Sequence, residues 1–146
     1  MVKVLVKRLN PMAKLPVKGS SEAACFDLTV AHAEIDSRGW SVHTGLAVAL
    51  PPGYAMLIYP RSGLGTKLGL TLRNTVGVID SDYRGEIIIK LHDGYAHCIP
   101  EIHAALSEGS RIAQAMIIAL PEVDLNEVSE LPASERGAGG FGSTGV

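Results

Sequence analysis

Three segments of this 146-residue chain gather side chains able to do chemistry. The first runs Tyr59-Pro60-Arg61-Ser62-Gly63-Leu64-Gly65-Thr66-Lys67-Leu68-Gly69. An arginine and a serine beside a glycine, leading into a helix start, can offer a guanidinium, a hydroxyl and backbone N–H groups to phosphate oxygens. It is not a Walker A loop, since Gly-x-x-x-x-Gly-Lys-Ser/Thr does not occur, and a glycine-rich turn with a surface arginine reads equally well. The second is Gly77-Val78-Ile79-Asp80-Ser81-Asp82-Tyr83-Arg84-Gly85-Glu86, with two aspartates, a tyrosine and an arginine in what reads as a hairpin loop between two apolar strands. A carboxylate placed there can act as a general base, or the Asp-Ser-Asp run can simply cap its own turn. The third is Ser110-Arg111-Ile112-Ala113-Gln114-Ala115-Met116. A glutamine inside an apolar strand needs hydrogen-bond partners when buried, and a phosphate oxygen, a water or a neighbouring backbone group would each serve.

Other patterns carry less. Gly137, Gly139 and Gly142 formally spell Gly-x-Gly-x-x-Gly, but only four residues follow and no helix can begin there, so this is no dinucleotide fingerprint. His92, His97, Cys98 and His103 are near in sequence, yet their spacing matches no structural zinc pattern. The tail after Arg136 combines Phe141, Ser143 and Thr144 with glycines. It reads either as a solvated, mobile end or as a lid for a charged ligand with a flat ring.

The elements that must position these groups are mostly of period two. Val2, Val4 and Val6 alternate in an opening strand. Val42, Thr44, Leu46, Val48 and Leu50 alternate in another, which Pro51-Pro52-Gly53 ends so that Tyr54 to Tyr59 returns as its hairpin partner. Residues 86–91 and 112–120 are further apolar, β-branched runs. Two short helices are expected, one within Ser62 to Leu70 despite three glycines, the other from Pro100 to Glu108 with proline in the first turn and Gly109 beyond the end. Short strands with Gly and Pro between them predict a β-sandwich or barrel rather than βαβ units.

Composition narrows the classes. With 13 Lys+Arg against 15 Asp+Glu, the chain lacks the basic excess that nucleic acid or anionic membranes select. Hydrophobic residues at 47% exclude disorder of the whole chain, and the low charged fraction of 19% suits a surface partly covered by other copies. No apolar run approaches a membrane span, and Lys and Arg break up the N-terminus too often for a signal peptide. Cys25 and Cys98 form no disulfide framework, which points to reduced thiols and a cytoplasmic location.

Taken in order, five segments resemble the motifs of the trimeric deoxyuridine triphosphate nucleotidohydrolases (dUTPases): Ala24-Cys25-Phe26-Asp27-Leu28, Pro60-Arg61-Ser62-Gly63, the Gly77–Gly85 run, Arg111-Ile112-Ala113-Gln114, and the Arg136–Gly145 tail. The resemblance implies an all-β, distorted jelly-roll β-barrel or sandwich with one or two short helices and a flexible Gly-rich C-terminal arm. Residues 1–121 would be the β domain, and residues 122–146 a linker and arm closing a neighbouring subunit's site. It further implies a homotrimer with active sites shared between subunits, dUTP as substrate, and dUMP and pyrophosphate as products. Such an activity limits uracil incorporation into DNA and supplies dUMP for dTMP synthesis. No membrane or direct nucleic-acid partner is implied.

By the same resemblance Asp80 would activate the attacking water, and Mg²⁺ would sit on the triphosphate, held by Asp27 through water. Arg61, Ser62, Gly63 and Gln114 would line the phosphate path. Asn74 and the main chain of Gly77, Val78 and Ile79 would read the uracil, and Tyr83 would pack under the deoxyribose. From the arm, Phe141 would stack on the base while Arg136, Gly142, Ser143 and Thr144 meet the phosphates. Two features depart from the family pattern: Cys25 stands where glycine is usual, and the Tyr95–Ser110 stretch reads as an insertion. A dCTP deaminase of similar fold and a nucleotide-bound regulator are the competing readings.

Overall fold

A computed structural model describes residues 1–92 and 100–140. In chain order its elements are β1 (Leu5–Arg8), β2 (Val17–Lys18), β3 (Phe26–Thr29), β4 (His32–Asp36), β5 (Gly39–His43), β6 (Leu46–Ala49), β7 (Tyr54–Pro60), α1 (Ser62–Leu68), β8 (Thr71–Leu72), β9 (Gly77–Ile79), β10 (Ile88–His92), α2 (Pro100–Ala105) and β11 (Arg111–Ala119). All pairings are antiparallel. The sheets have the orders β1-β6, β4-β5-β10-β8 and β2-β3-β11-β7-β9. The four- and five-stranded sheets enclose a core of Leu28, Val30, Val42, Ile58, Leu72, Ile87, Ile89, Leu91, Ile112 and Ala115. The architecture is the expected all-β sandwich, but the described strands do not close into a barrel. No helix among them is long and apolar enough to cross a membrane.

The alternating run from Val42 to Leu50 is two strands, not one. Gly45 breaks it with a φ of 67°, outside the β region, and its surroundings are tight: a Cβ there would approach those of Ala13, Asn10 and Ala31. The break sends β5 into the four-stranded sheet and β6 to β1. It also cancels the expected hairpin, because β7 pairs with β11 and β9 rather than with β6. The opening strand begins at Leu5, later than the valine alternation suggests, since Val2 and Val4 find no strand partner among the described residues.

Both short helices form. In α1, Leu64 and Leu68 sit four apart and pack on the core, and Gly69 ends the helix in the left-handed region, its N–H bonding Gly65 O. This packing offsets the cost of the internal glycines. In α2, Ile102 is buried and His103 meets the Trp40 ring edge-on at 5.2 Å, so His103 is a packing residue. The helix stops at Ala105, short of Glu108, and Ser107 Oγ caps Ala104 O. Phe141, Gly142, Ser143 and Thr144, together with Tyr95, His97 and Cys98, lie outside the described residues.

Thr44 secures the β5–β6 break. Fully buried, its hydroxyl donates to Ile87 O at 2.7 Å and accepts from Leu46 N–H at 3.3 Å. Thr44→Val keeps the shape but orphans the Leu46 donor, so denaturant unfolding at fixed protein concentration should show a loss of about 1–3 kcal/mol. An unchanged midpoint would remove this role from the hydroxyl.

Candidate active site

Two pockets collect most of the candidate residues. The first, about 340 Å³, is lined by Gly19, Ala24, Cys25, Asp27, Arg61, Ser62, Gly63, Arg111 and Gln114, among others. Its geometry follows from the five-stranded sheet. Asp27 on β3 and Tyr59 on β7 flank Gln114 of β11 in register, which brings the end of β7, and with it Arg61, beside Asp27. A strand alternates faces, so Arg111 and Gln114 would ordinarily point to opposite sides. The register of β11 on β3 shifts between Arg111 and Ala113, and this bulge restores both side chains to one face.

Within the pocket Asp27 holds two guanidiniums. Arg61 Nε lies 3.2 Å from Oδ1, and Arg111 Nη1 donates to Oδ2 at 3.1 Å. Arg61 Nη1 also donates to Arg111 O at 3.1 Å. The Asp27 side chain is only 12% exposed, so the carboxylate is shielded while Arg111 remains half-exposed toward solvent. Gln114 Nε2 donates to Pro60 O at 3.1 Å, which is the backbone partner that a buried strand glutamine needs. Its amide carries a second N–H. Ser62 and Gly63 open α1; Leu64 N–H already bonds Arg61 O at 3.1 Å, whereas the N–H groups of Ser62 and Gly63 precede the first intrahelical bond and receive no cap from the Arg61 side chain. Cys25 lines the same pocket with an ordinary negative φ, so the side chain in place of glycine imposes no left-handed strain.

The second pocket, about 420 Å³, is lined by Asn74, Gly77, Val78 and Ile79 with Leu72, Arg73, Lys90 and neighbours. Thr75, with φ 65°, turns the chain sharply between β8 and β9 and brings Asn74 alongside the Gly77–Ile79 strand. That conformation costs a β-branched residue about 1–3 kcal/mol. Among the described residues strand β9 is an edge strand, paired with β7 on one side. Gly77 sits close on β7, where a Cβ would lie 3.1 Å from that of Ile58. The segment after β9 is not the loop of a hairpin, because β9 and β10 belong to different sheets and the Asp80–Gly85 loop crosses between them.

On that loop Asp80 is exposed and lines neither pocket, and Tyr83 N–H donates to Asp80 O at 3.2 Å. The Tyr83 phenol donates to Glu86 O at 3.0 Å and lies over Gly85, which has no room for a Cβ. Arg136 stands in the exposed tail, where its Nε donates to Gly139 O at 2.8 Å. The candidates therefore fall into groups that one chain does not unite: Asp27, Arg61, Ser62, Gly63 and Gln114 in one pocket, Asn74, Gly77, Val78 and Ile79 in another, and Asp80, Tyr83 and Arg136 outside both. Arg111 is the pocket residue to which the sequence reading gave no role. Its place at the head of the Arg111–Gln114 segment was the available signal, and the bulge that turns it inward was not.

Among the described residues no three His, Cys, Asp or Glu side chains converge as a metal cage. A single shielded carboxylate among phosphate-seeking groups suits instead a hard cation carried largely by a polyphosphate and its own waters.

Comparison with known proteins agrees with this geometry. The dUTPase family model matches residues 12–145. A deoxyuridine 5'-triphosphate nucleotidohydrolase of Wolinella succinogenes is 45% identical over 99% of this chain and 95% of its own length. One from Thermobifida fusca is 43% identical over 99% of this chain and 79% of its own. Among solved structures, a mutant dUTPase of Staphylococcus bacteriophage 80alpha with dUpNHpp superposes with a TM-score of 0.82 at 26% identity, covering 99% of both chains. A mutant dUTPase of phage phi11 of S. aureus, in which a structural Mg(II) ion is coordinated, shares the fold at a TM-score of 0.72 and 22% identity over 88% of this chain and 97% of its own. A family match spanning nearly the whole chain, together with relatives above 40% identical and solved structures of the same fold, gives the conclusion that this chain belongs to the dUTPase family and is an enzyme of the dUTP diphosphatase class.

Proposed function

We propose that the chain hydrolyses dUTP to dUMP and pyrophosphate in a site assembled from more than one copy, most simply a homotrimer. The observation that carries this is the convergence of Arg61, Arg111, Ser62, Gly63 and Gln114 around Asp27, a cationic and donor-rich pocket that suits a triphosphate. The base would lie against β9. Its open edge offers main-chain N–H and C=O groups that could meet a ligand as an added strand would, and a base bound that closely would pair by uracil's edge rather than cytosine's, with thymine's methyl pressed against the main chain. Asn74 would complete the polar contacts, and the Tyr83 ring would support the deoxyribose where a 2′-hydroxyl would clash.

Asp80 would take the proton of a water aligned with the α-phosphorus. The P–O bond to the β-phosphate then breaks in line, and pyrophosphate departs between the arginines. When bound, Mg²⁺ would neutralise triphosphate charge, with Asp27 facing it through water because both carboxylate oxygens are already engaged by guanidiniums. In the cell, such a reaction would limit uracil incorporation into DNA and furnish dUMP for dTMP synthesis.

Residues 1–121 would form the β domain and residues 122–146 the arm that reaches a neighbouring subunit. Support comes from Leu125 and Leu131, which are 89% and 85% exposed on a segment without helix or strand, with Val123 and Val128 also exposed. Apolar side chains displayed in this way suit burial against another copy. Arg136, Phe141, Gly142, Ser143 and Thr144 would then close over the nucleotide and exclude water.

The direct test is pyrophosphate release with Mg²⁺ from dUTP, dCTP, dTTP and UTP, with products identified. Selective conversion of dUTP to dUMP is expected, with UTP a poor substrate; ammonia from dCTP would move the chain to a deaminase reaction. Asp80→Asn should lower kcat by about 10²–10⁴-fold with nucleotide binding retained, and near-native turnover would remove Asp80 as the base. Truncation after Arg136 should cripple turnover and leave the oligomer intact in sedimentation. Full activity in the truncated chain would end the lid role.

A further inference from the structure

The Asp80–Gly85 loop crosses from one sheet to the other, and several of its hydrogen bonds are internal. Tyr83 N–H bonds Asp80 O, and Arg84 Nη1 donates to Ser81 O at 2.7 Å and Tyr83 O at 2.9 Å. These shape the loop but do not fix it to the body. At its end Ile87 joins the body through its main chain, its N–H donating to Leu46 O at 2.8 Å and its O accepting from Thr44, and Glu86, the residue between, adds a side-chain tie. Its Oε1 accepts the Gly45 N–H at 2.7 Å, and its Oε2 lies 2.9 Å from His43 Nδ1. Gly45 is buried and closely packed, so this anchor belongs to the rigid part of the fold. From the same residue, the main-chain oxygen receives the Tyr83 phenol.

The chemistry of the pair is directional. An ionised carboxylate only accepts, so His43 Nδ1 is the donor to Glu86, while Nε2 faces Glu34, whose Oε1 is 3.7 Å away. His32 stands opposite His43 in register, with ring centroids 5.8 Å apart. Glu86 thus joins the end of β5 to the loop that bears Asp80 and Tyr83.

We propose that Glu86, itself oriented by His43, is a positioning residue for Asp80 and Tyr83: it touches neither nucleotide nor reacting atoms, but fixes the loop from which both act. This rests on the dUTP-hydrolysis reading, and a readout that needs no turnover separates the two. Glu86→Ala and His43→Ala should speed amide hydrogen exchange across residues 80–86. With dUTP they should lower kcat about ten- to hundredfold, with a smaller change in KM, because a displaced base loses alignment. They should also narrow the preference for dUTP over UTP through the loosened Tyr83.

Glu86→Gln should restore exchange and kcat toward native, since its amide oxygen still accepts from Gly45 and its N–H can meet the other His43 tautomer. His43→Ala leaves the Gly45 bond in place and serves where Glu86→Ala does not fold. Native exchange and kcat in the alanine variants, or a glutamine variant as impaired as the alanine one, would overturn the proposal. A native chain inactive on dUTP would overturn the functional reading, and hydrogen exchange would still decide the tie.

Discussion

One carboxylate holds the pocket between β3, β7 and β11 together. Arg61 arrives from the junction of β7 and α1 and Arg111 from β11, and the two would repel each other across a shared cavity; Asp27 lies between them and bonds both. The arrangement keeps two cations gathered and oriented before an anion arrives, so a polyphosphate would meet a preformed site rather than organise one. Asp27 can do this because β3 and β7 flank β11 in register and a single bulge turns Arg111 to the same face as Gln114. Placement of the charges is thus a consequence of sheet geometry.

The two pockets differ in what they offer. The first presents side-chain charge and first-turn N–H groups at α1, which would suit phosphates of any nucleotide. The second presents the open edge of β9 and the sharp turn at Thr75, which would suit the flat, polar edge of a base. Their lining residues do not overlap. In the proposed reaction a nucleotide would need both functions within its own length, and a closed oligomer would bring one copy's β9 edge to another copy's Asp27 pocket.

Local features were legible in the sequence. The run of Ile112 to Leu120, the isoleucines near residue 88 and the short helix within Ser62 to Leu70 each became the element their residues imply. Arg61, Ser62, Gly63 and Gln114 meet as the motif order suggests. What was not legible depends on pairing between distant strands. Period two cannot show that Gly45 divides Val42–Leu50 between two sheets, nor that β7 turns away from β6 toward β11 and β9. The bulge that brings in Arg111 and the bond between His43 and Glu86, 43 positions apart, leave no local trace.

The central claim is that the phosphate pocket of one chain works with the Asp80 loop of another. Co-expression of Asp80→Asn chains with Arg61→Ala chains, under two affinity tags so that only mixed oligomers are recovered, tests it most directly. The account predicts that mixed oligomers hydrolyse dUTP although neither parent does, because some sites then combine an intact Asp80 with an intact Arg61. Mixed oligomers no more active than either parent would place both residues in the same chain's site and contradict it.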